Sequence, residues 1–150
     1  TVSVIAPKVR NEKEEQQHLC KRYPSLFDLF VRGIGISKLQ KIYSRRLARY
    51  ESRDKTKNNQ PVNVELISGC FMLCRGEYLK KCGGFDKRYF LYFEDFDLSL
   101  KLAKYGFVHY LPTMKIIHYG GNASRKGFRH KLMFISSAIK FYNCNGWKIY

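Results

Sequence analysis

Apolar and polar positions along the chain change period several times, and each change marks an element. Val2, Val4, Ile5 and Ala6 form a short apolar run that predicts a buried strand ended by Pro7. Asn11 to Gln17 is polar and predicts a surface excursion. After Pro24, Leu26, Phe27, Leu29, Phe30 and Val31 recur at near-helical spacing until Gly33 and Gly35 break the pattern. Ser37 to Tyr50 predicts an amphipathic helix, with Leu39, Ile42, Tyr43, Leu47 and Tyr50 on one stripe. Lys38, Lys41, Arg45, Arg46 and Arg49 fill the other side, and Ser37 is the expected N-cap. Glu51 to Gln60 shows no period and reads as a charged, polar linker.

The pattern changes at Pro61. Val62, Val64 and Leu66, then Gly69 to Leu73, predict two short strands about a Ser68-Gly69 turn. Gly76 to Lys81 predicts a short helix closed by Cys82-Gly83-Gly84, because glycine accepts the left-handed C-cap. Phe85 to Phe93 is dense in aromatics. Glu94 to Tyr105 has helical spacing with two apolar sides, Leu98, Leu102 and Tyr105 on one and Phe93, Phe96 and Leu100 on the other. Gly106 ends it. Val108 to Leu111 and Lys115 to His118 read as strands divided by Pro112, Gly120 to Gly127 as a loop, and Phe128 to Tyr142 as a last helix. Strands alternating with helices predict an α/β domain, and 150 residues suffice for one of ordinary size.

A hydrophobic content of 45% excludes a disordered chain. Lys and Arg number 28 against 12 Asp and Glu, a formal charge of +16. A field of that size attracts nucleic acid, anionic lipid or phosphorylated substrates without choosing among them. The Ser37–Tyr50 helix either lies on an anionic membrane surface or packs its apolar stripe on the domain. The five cysteines, at 20, 70, 74, 82 and 144, are odd in number and lack a CxxC pair, so they read as free thiols of a reducing compartment. No apolar run approaches the roughly 20 residues of a membrane span.

Chemistry concentrates in Phe93-Glu94-Asp95-Phe96-Asp97-Leu98, where three of the 12 acids fall within four positions. Clustered carboxylates raise one another's pKa. The dipole of a helix start accommodates one or two of them, but leaves the aromatic wall of Tyr89, Phe90, Tyr92 and Phe93 unexplained. A carboxylate at a helix start facing a cleft is also suited to general-base work. His118 follows a strand and precedes Tyr119-Gly120-Gly121, at the edge where open α/β sheets place ligands. It can be a metal ligand, a phosphate contact, a base, or a hydrogen-bonded structural residue. Arg125 and Lys126, on the glycine-rich loop, suit a diphosphate.

A small-residue turn and apolar strand, a short helix, Gly83-Gly84-Phe85-Asp86, an aromatic run, Glu94-Asp95-Phe96-Asp97-Leu98, a helix ending in Gly, and a strand ending in His occur in that order. From Val62 to Ser124 this resembles the second half of rhamnosyltransferase-like family 2 glycosyltransferases. The resemblance implies a partial GT-A fold, a mixed sheet flanked by helices, with the N-terminal half and its DxD motif absent. Asp95-Phe96-Asp97 matches that string but belongs to the later motif. Residues 37–60 would be an insertion in the domain. It further implies inverting transfer from a nucleotide-sugar donor to a glycan or lipid-linked acceptor, with Asp95 as general base and Glu94 beside it. Gly69, Cys70, Gly84, Phe85 and Asp86 would line the acceptor side, and Arg125 and Lys126 the donor diphosphate. His118 would approach a divalent metal, Mn or Mg, held mostly by the missing half. The segment alone would be inactive, its sheet would have an unpaired edge, and the enzyme would be cytoplasmic or peripheral on the cytoplasmic face of the membrane. The rival reading, a basic nucleic-acid-binding module, places aromatics beside phosphates. Here the aromatics cluster with the acids around Asp95, so no specific nucleic acid is expected.

Overall fold

The computed structural model describes residues 1–120 and 127–150. Two long strands organise it: β1 (Val2–Arg10) and β7 (Phe107–Ile117) run parallel side by side. Between them come β2 (Gln16–Gln17), β3 (Cys20–Lys21), α1 (Leu26–Gly33), α2 (Ser37–Ile42), α3 (Ser44–Tyr50), α4 (Arg53–Thr56), β4 (Val62–Asn63), β5 (Leu66–Ile67), β6 (Leu73–Cys74), α5 (Gly76–Lys81) and α6 (Glu94–Ala103). The last element is α7 (Gly127–Asn145). β4 extends the sheet beyond β7, and β2 and β6 pair with opposite ends of the far side of β1, all antiparallel. The sheet is therefore mixed, as expected, and the far side of β1 is paired at Val4–Ile5 and Val9–Arg10.

Neither proline stops its strand. β1 continues through Pro7 to Arg10, and β7 runs unbroken through Pro112, because a register shift separates Pro7↔Leu111 from Lys8↔Lys115. A bulge is where a sheet tolerates residues that cannot donate to the ladder. Asn11 to Gln17 is a hairpin, held by the Asn11 side chain accepting from Lys13 N and Glu15 N. Val62 to Leu66 divides between two sheets, β4 joining the main one and β5 pairing with β3. Of Gly69 to Leu73 only Leu73 enters a strand.

The helix expected over Ser37–Tyr50 is two helices. Tyr43, at φ −94° and ψ 19°, breaks it, and Ile36 rather than Ser37 is the N-cap. α2 buries nothing, while α3 is held to α1 by Arg46, whose Nε donates to Asp28 Oδ1 at 2.6 Å. Asp28 also completes a capping box with Ser25. The residues expected as a loose linker include α4 and a buried charge cluster. Lys21 pairs with Glu51 at 3.3 Å and donates to the His18 carbonyl, while Arg32 and Arg53 also reach Glu51. Burial lowers Lys21 to about 8, and nearby Arg32 adds to this.

α6 lies between two cores, and its two apolar sides explain why. Leu98 and Leu102 pack on the sheet with Val4, Ala6, Ile67, Val108 and Tyr110. Phe96 and Leu100 face Phe93, Phe141 and Tyr142 of a second, aromatic core built on α7. Tyr105 instead stacks on Tyr78 of α5. All five cysteines are free. Among the described residues no helix is long and apolar enough to cross a membrane.

Candidate active site around Asp95

The first turn of α6 is set by an unusual backbone. Tyr92 and Phe93 are consecutive non-glycine residues in the left-handed region, at φ 69° and 65°. Such conformations persist only where surrounding packing over-determines them, and they concentrate at functional sites. Here the packing is α7. Tyr92 Oη and His130 Nδ1 are 3.0 Å apart, Ser137 Oγ donates to the Leu91 carbonyl at 2.7 Å, and Lys140 Nζ donates to the Arg88 carbonyl at 2.9 Å. The Phe93 ring is buried against Phe134 and Phe141. The aromatic run next to the acids thus serves as the clamp that fixes the helix start.

Asp95 turns from that start toward Ser68-Gly69. Its Oδ2 accepts from Gly69 N at 2.7 Å, its Oδ1 from Phe96 N at 2.8 Å, and the Ser68 side chain also donates to it. Gly69 packs closely there, and a Cβ would stand 3.1 Å from Asp95 Cβ. Ser99, one turn on, donates to the Asp95 carbonyl at 2.8 Å and accepts from Ile67 N at 3.1 Å, so α6 is stitched to β5 beside the carboxylate. The carboxyl itself is enclosed, though the residue keeps part of its surface and Gly69 above it is exposed. Burial raises the Asp95 pKa from its ordinary value, against the pull of its backbone and Ser68 hydrogen bonds. Burial also raises Glu94, with the Asp95 charge adding to it. Its Oε2 is buried and has no hydrogen-bond partner among the described residues. Each of these two carboxyls, with its raised affinity for protons, has the chemistry of a general base.

The other expected residues divide. Cys70 lies beside Asp95, and burial together with that charge pushes its thiol up to about 11, so it is inert filler rather than a nucleophile. Gly83 and Gly84 are both left-handed, as the helix closure requires, and Phe85 is exposed. Asp86 is forked to Arg88 at 2.6–3.0 Å, which holds it well below the usual range. Lys101 bridges Asp86 at 3.8 Å and Asp97 at 2.8 Å. Asp97 is two residues from Asp95, about 200° around the helix, so Asp86 belongs to the opposite side of α6 from the Gly69–Asp95 contact.

His118 caps the end of β7. Its backbone N donates to the Arg10 carbonyl at 2.8 Å, and its Nδ1 lies 2.9 Å from Gln17 Oε1. With Gln17 accepting from Nδ1–H, the Nε2 lone pair is left available, the arrangement found in histidines that meet a cation or an acidic proton. Gly120 is the partner of this geometry, since a Cβ there would come 2.9 Å from His118 Nε2. Among the described residues no three of His, Cys, Asp and Glu gather to hold a metal, so His118 is at most one ligand and those residues alone complete no metal centre. Arg125 and Lys126 lie outside the described residues. A groove of about 410 Å³ adds charge to the sheet, lined by Lys8, Arg10, Asn59, Pro112, Thr113 and Lys115. Lys8 and Lys115 are register partners in it, a like-charge pairing that an anion would relieve.

Sequence reading missed Ser68, Ser99, Gln17 and the Tyr92–His130 link. Ser68 alone had a local signal, its place before Gly69; the others become neighbours only through folding.

By sequence the chain is similar to proteins that are rhamnosyltransferases by name. The chain is 32% identical over 122 residues to "Rhamnosyltransferase WbbL" of Escherichia coli (strain K12), a match covering 77% of this chain and 40% of that protein. It is 34% identical over 91 residues to "N-acetylglucosaminyl-diphospho-decaprenol L-rhamnosyltransferase" of Mycobacterium tuberculosis (strains CDC 1551 / Oshkosh and ATCC 25618 / H37Rv), covering 56% of this chain and 29% of those proteins. The chain therefore spans well under half the length of these relatives. No family model matches it, and no solved structure matches it.

Proposed function

We propose that the complete protein carrying this chain transfers a sugar, L-rhamnose or a close analogue, from a nucleotide donor to a hydroxyl of a lipid-linked glycan. The observation that carries the reading is Asp95: a carboxyl enclosed by burial, held by the Gly69 and Phe96 N–H groups, and next along the helix to Glu94, whose Oε2 has no partner among the described residues. In this reading Asp95 takes the proton of the acceptor hydroxyl as that oxygen attacks the anomeric carbon from the face opposite the leaving diphosphate, so the configuration inverts. Glu94 orients the same hydroxyl by accepting from it. The 69–70 backbone forms the acceptor wall. His118 offers its Nε2 to the diphosphate or to a divalent ion, Mn or Mg, whose other ligands, like the donor pocket, would come from outside the described residues. That ion would supply charge for the leaving diphosphate. The same reading makes residues 37–60 an insertion, the fold a part of a GT-A domain that is inactive by itself, and the enzyme a cytoplasmic one working at the membrane. Ile36 and Ile42, exposed beside Lys38 and Lys41, are what supports a membrane contact through the Ser37–Tyr50 segment.

The test is transfer of labelled rhamnose from its nucleotide to a polyprenyl-diphospho-N-acetylglucosamine by the complete protein, wild type against Asp95→Asn. A fall in kcat of at least about 10²-fold with donor affinity unchanged is expected. Full activity in the variant would reduce Asp95 to a helix-start carboxylate and end the proposal.

A further inference from the structure

α7 has two apolar faces and buries one. Ser137, Ala138, Phe141 and Tyr142 are buried and pack the aromatic core. Phe128, Leu132, Ile135 and Ile139 recur at i, i+4, i+7 and i+11 and are exposed by 72%, 51%, 53% and 46%. At 100° per residue they fall within about 60° of arc and form a ridge of roughly 16 Å. Arg129 flanks the ridge on one side and Lys131 on the other. No Asp or Glu occurs in α7, or anywhere after Asp97.

The rim identifies the occupant. A nucleic-acid face presents several aromatics for stacking, whereas three of the four ridge residues are aliphatic. An aliphatic ridge between cationic side chains, without acids, matches a helix lying in the headgroup region of an anionic bilayer. We propose that α7 is the principal membrane-docking helix, its ridge entering the headgroup–acyl boundary and Arg129 and Lys131 meeting lipid phosphates. The buried side of the same helix clamps the Leu91–Phe93 turn through His130 and Ser137. If Asp95 serves as the base, which is the reading above, docking holds that carboxylate at a fixed height over the bilayer carrying its acceptor.

The experiment is co-sedimentation of the purified protein with vesicles of equal phosphatidylcholine and phosphatidylglycerol, and with phosphatidylcholine alone. Wild type is expected to sediment with the anionic vesicles only. The double variant Leu132→Ser/Ile135→Ser should lower the partition coefficient at least about tenfold, since two aliphatic side chains leave the interface. Its thermal midpoint should not fall, both residues being exposed. Asp95→Asn should bind vesicles as wild type does, whatever becomes of transfer, so this proposal and the catalytic one fail separately. Ile42→Ser, in the shorter α2, should weaken binding less than the double variant does. The proposal is overturned if wild type does not sediment, if the double variant sediments undiminished, or if Ile42→Ser is the change that abolishes binding. A lipid-free dimer that the double variant dissociates would assign the ridge to a second copy and overturn it equally.

Discussion

Gly69→Ala isolates the contact on which the site depends. The added Cβ would stand 3.1 Å from Asp95 Cβ and 3.5 Å from Oδ2. Ordinary carbon contacts begin near ~3.5 Å, so the helix start or the 68–70 turn must yield by a few tenths of an ångström. Neither is free to move: Ser99 ties α6 to β5, and Tyr92 and Phe93 are held by α7. Overpacking of this kind costs about 1–3 kcal/mol. For a chain of 150 residues that is a fall of roughly 2–12 °C in Tm. The activity cost comes from aim. A misplacement of about 1 Å costs on the order of 10²-fold, so a few tenths should lower kcat by about tenfold with little change in donor KM. The decisive assay is a double-mutant cycle in kcat with Asp95→Asn. If Gly69 acts through Asp95, Gly69→Ala should add almost nothing once the carboxylate has gone. A full tenfold loss in both backgrounds, or an unchanged kcat in the wild-type background, would show that Gly69 does not aim the carboxylate.

Two pH dependences and one structural loss follow from the charged groups. Burial raises the Asp95 pKa, so its contribution to stability is complete below the ordinary carboxylate range and disappears as pH rises through the folded pKa. Asp95→Asn should accordingly gain on wild type in urea unfolding between about pH 4 and pH 7; equal differences at both pH values would contradict this. Lys21 behaves oppositely, its pKa lowered to about 8 by burial, so its contribution is lost as pH falls through 8 and restored above the usual lysine range. Lys21→Met should be neutral or stabilising near pH 7, because Arg32 and Arg53 still serve Glu51, and that advantage should shrink by about pH 10; an advantage that grows with pH would sink the assignment. Asp28→Ala removes the acceptor of Ser25 N, Ser25 Oγ and Arg46 Nε at 3.0, 2.7 and 2.6 Å. A loss of about 3 kcal/mol is expected by thermal unfolding, and under about 1 kcal/mol would show the α1–α3 link to be dispensable.

What depends on neighbours along the chain was legible before folding. Period and end signals placed α5, α6 and α7 nearly where they lie, and the two apolar sides of α6 could be read as two cores because a helix displays its faces at fixed angles. The order of motifs pointed to Glu94 and Asp95, and the relatives bear out the resemblance drawn from it. The remainder was settled by packing. Pro7 and Pro112 read as strand ends, yet a register shift between two strands far apart in sequence accommodates both. The Ser37–Tyr50 period is continuous in sequence, but Arg46 is drawn inward by Asp28 and the helix breaks at Tyr43. The fork of Arg88 on Asp86 and the approach of Lys101 to it had no announcement in the motif. The aim of Asp95 depends on Gly69, Ser99 and, through the strained turn, His130. Such contacts between distant segments have no periodicity to read, because they are set by how the layers pack rather than by the spacing of residues within any one of them.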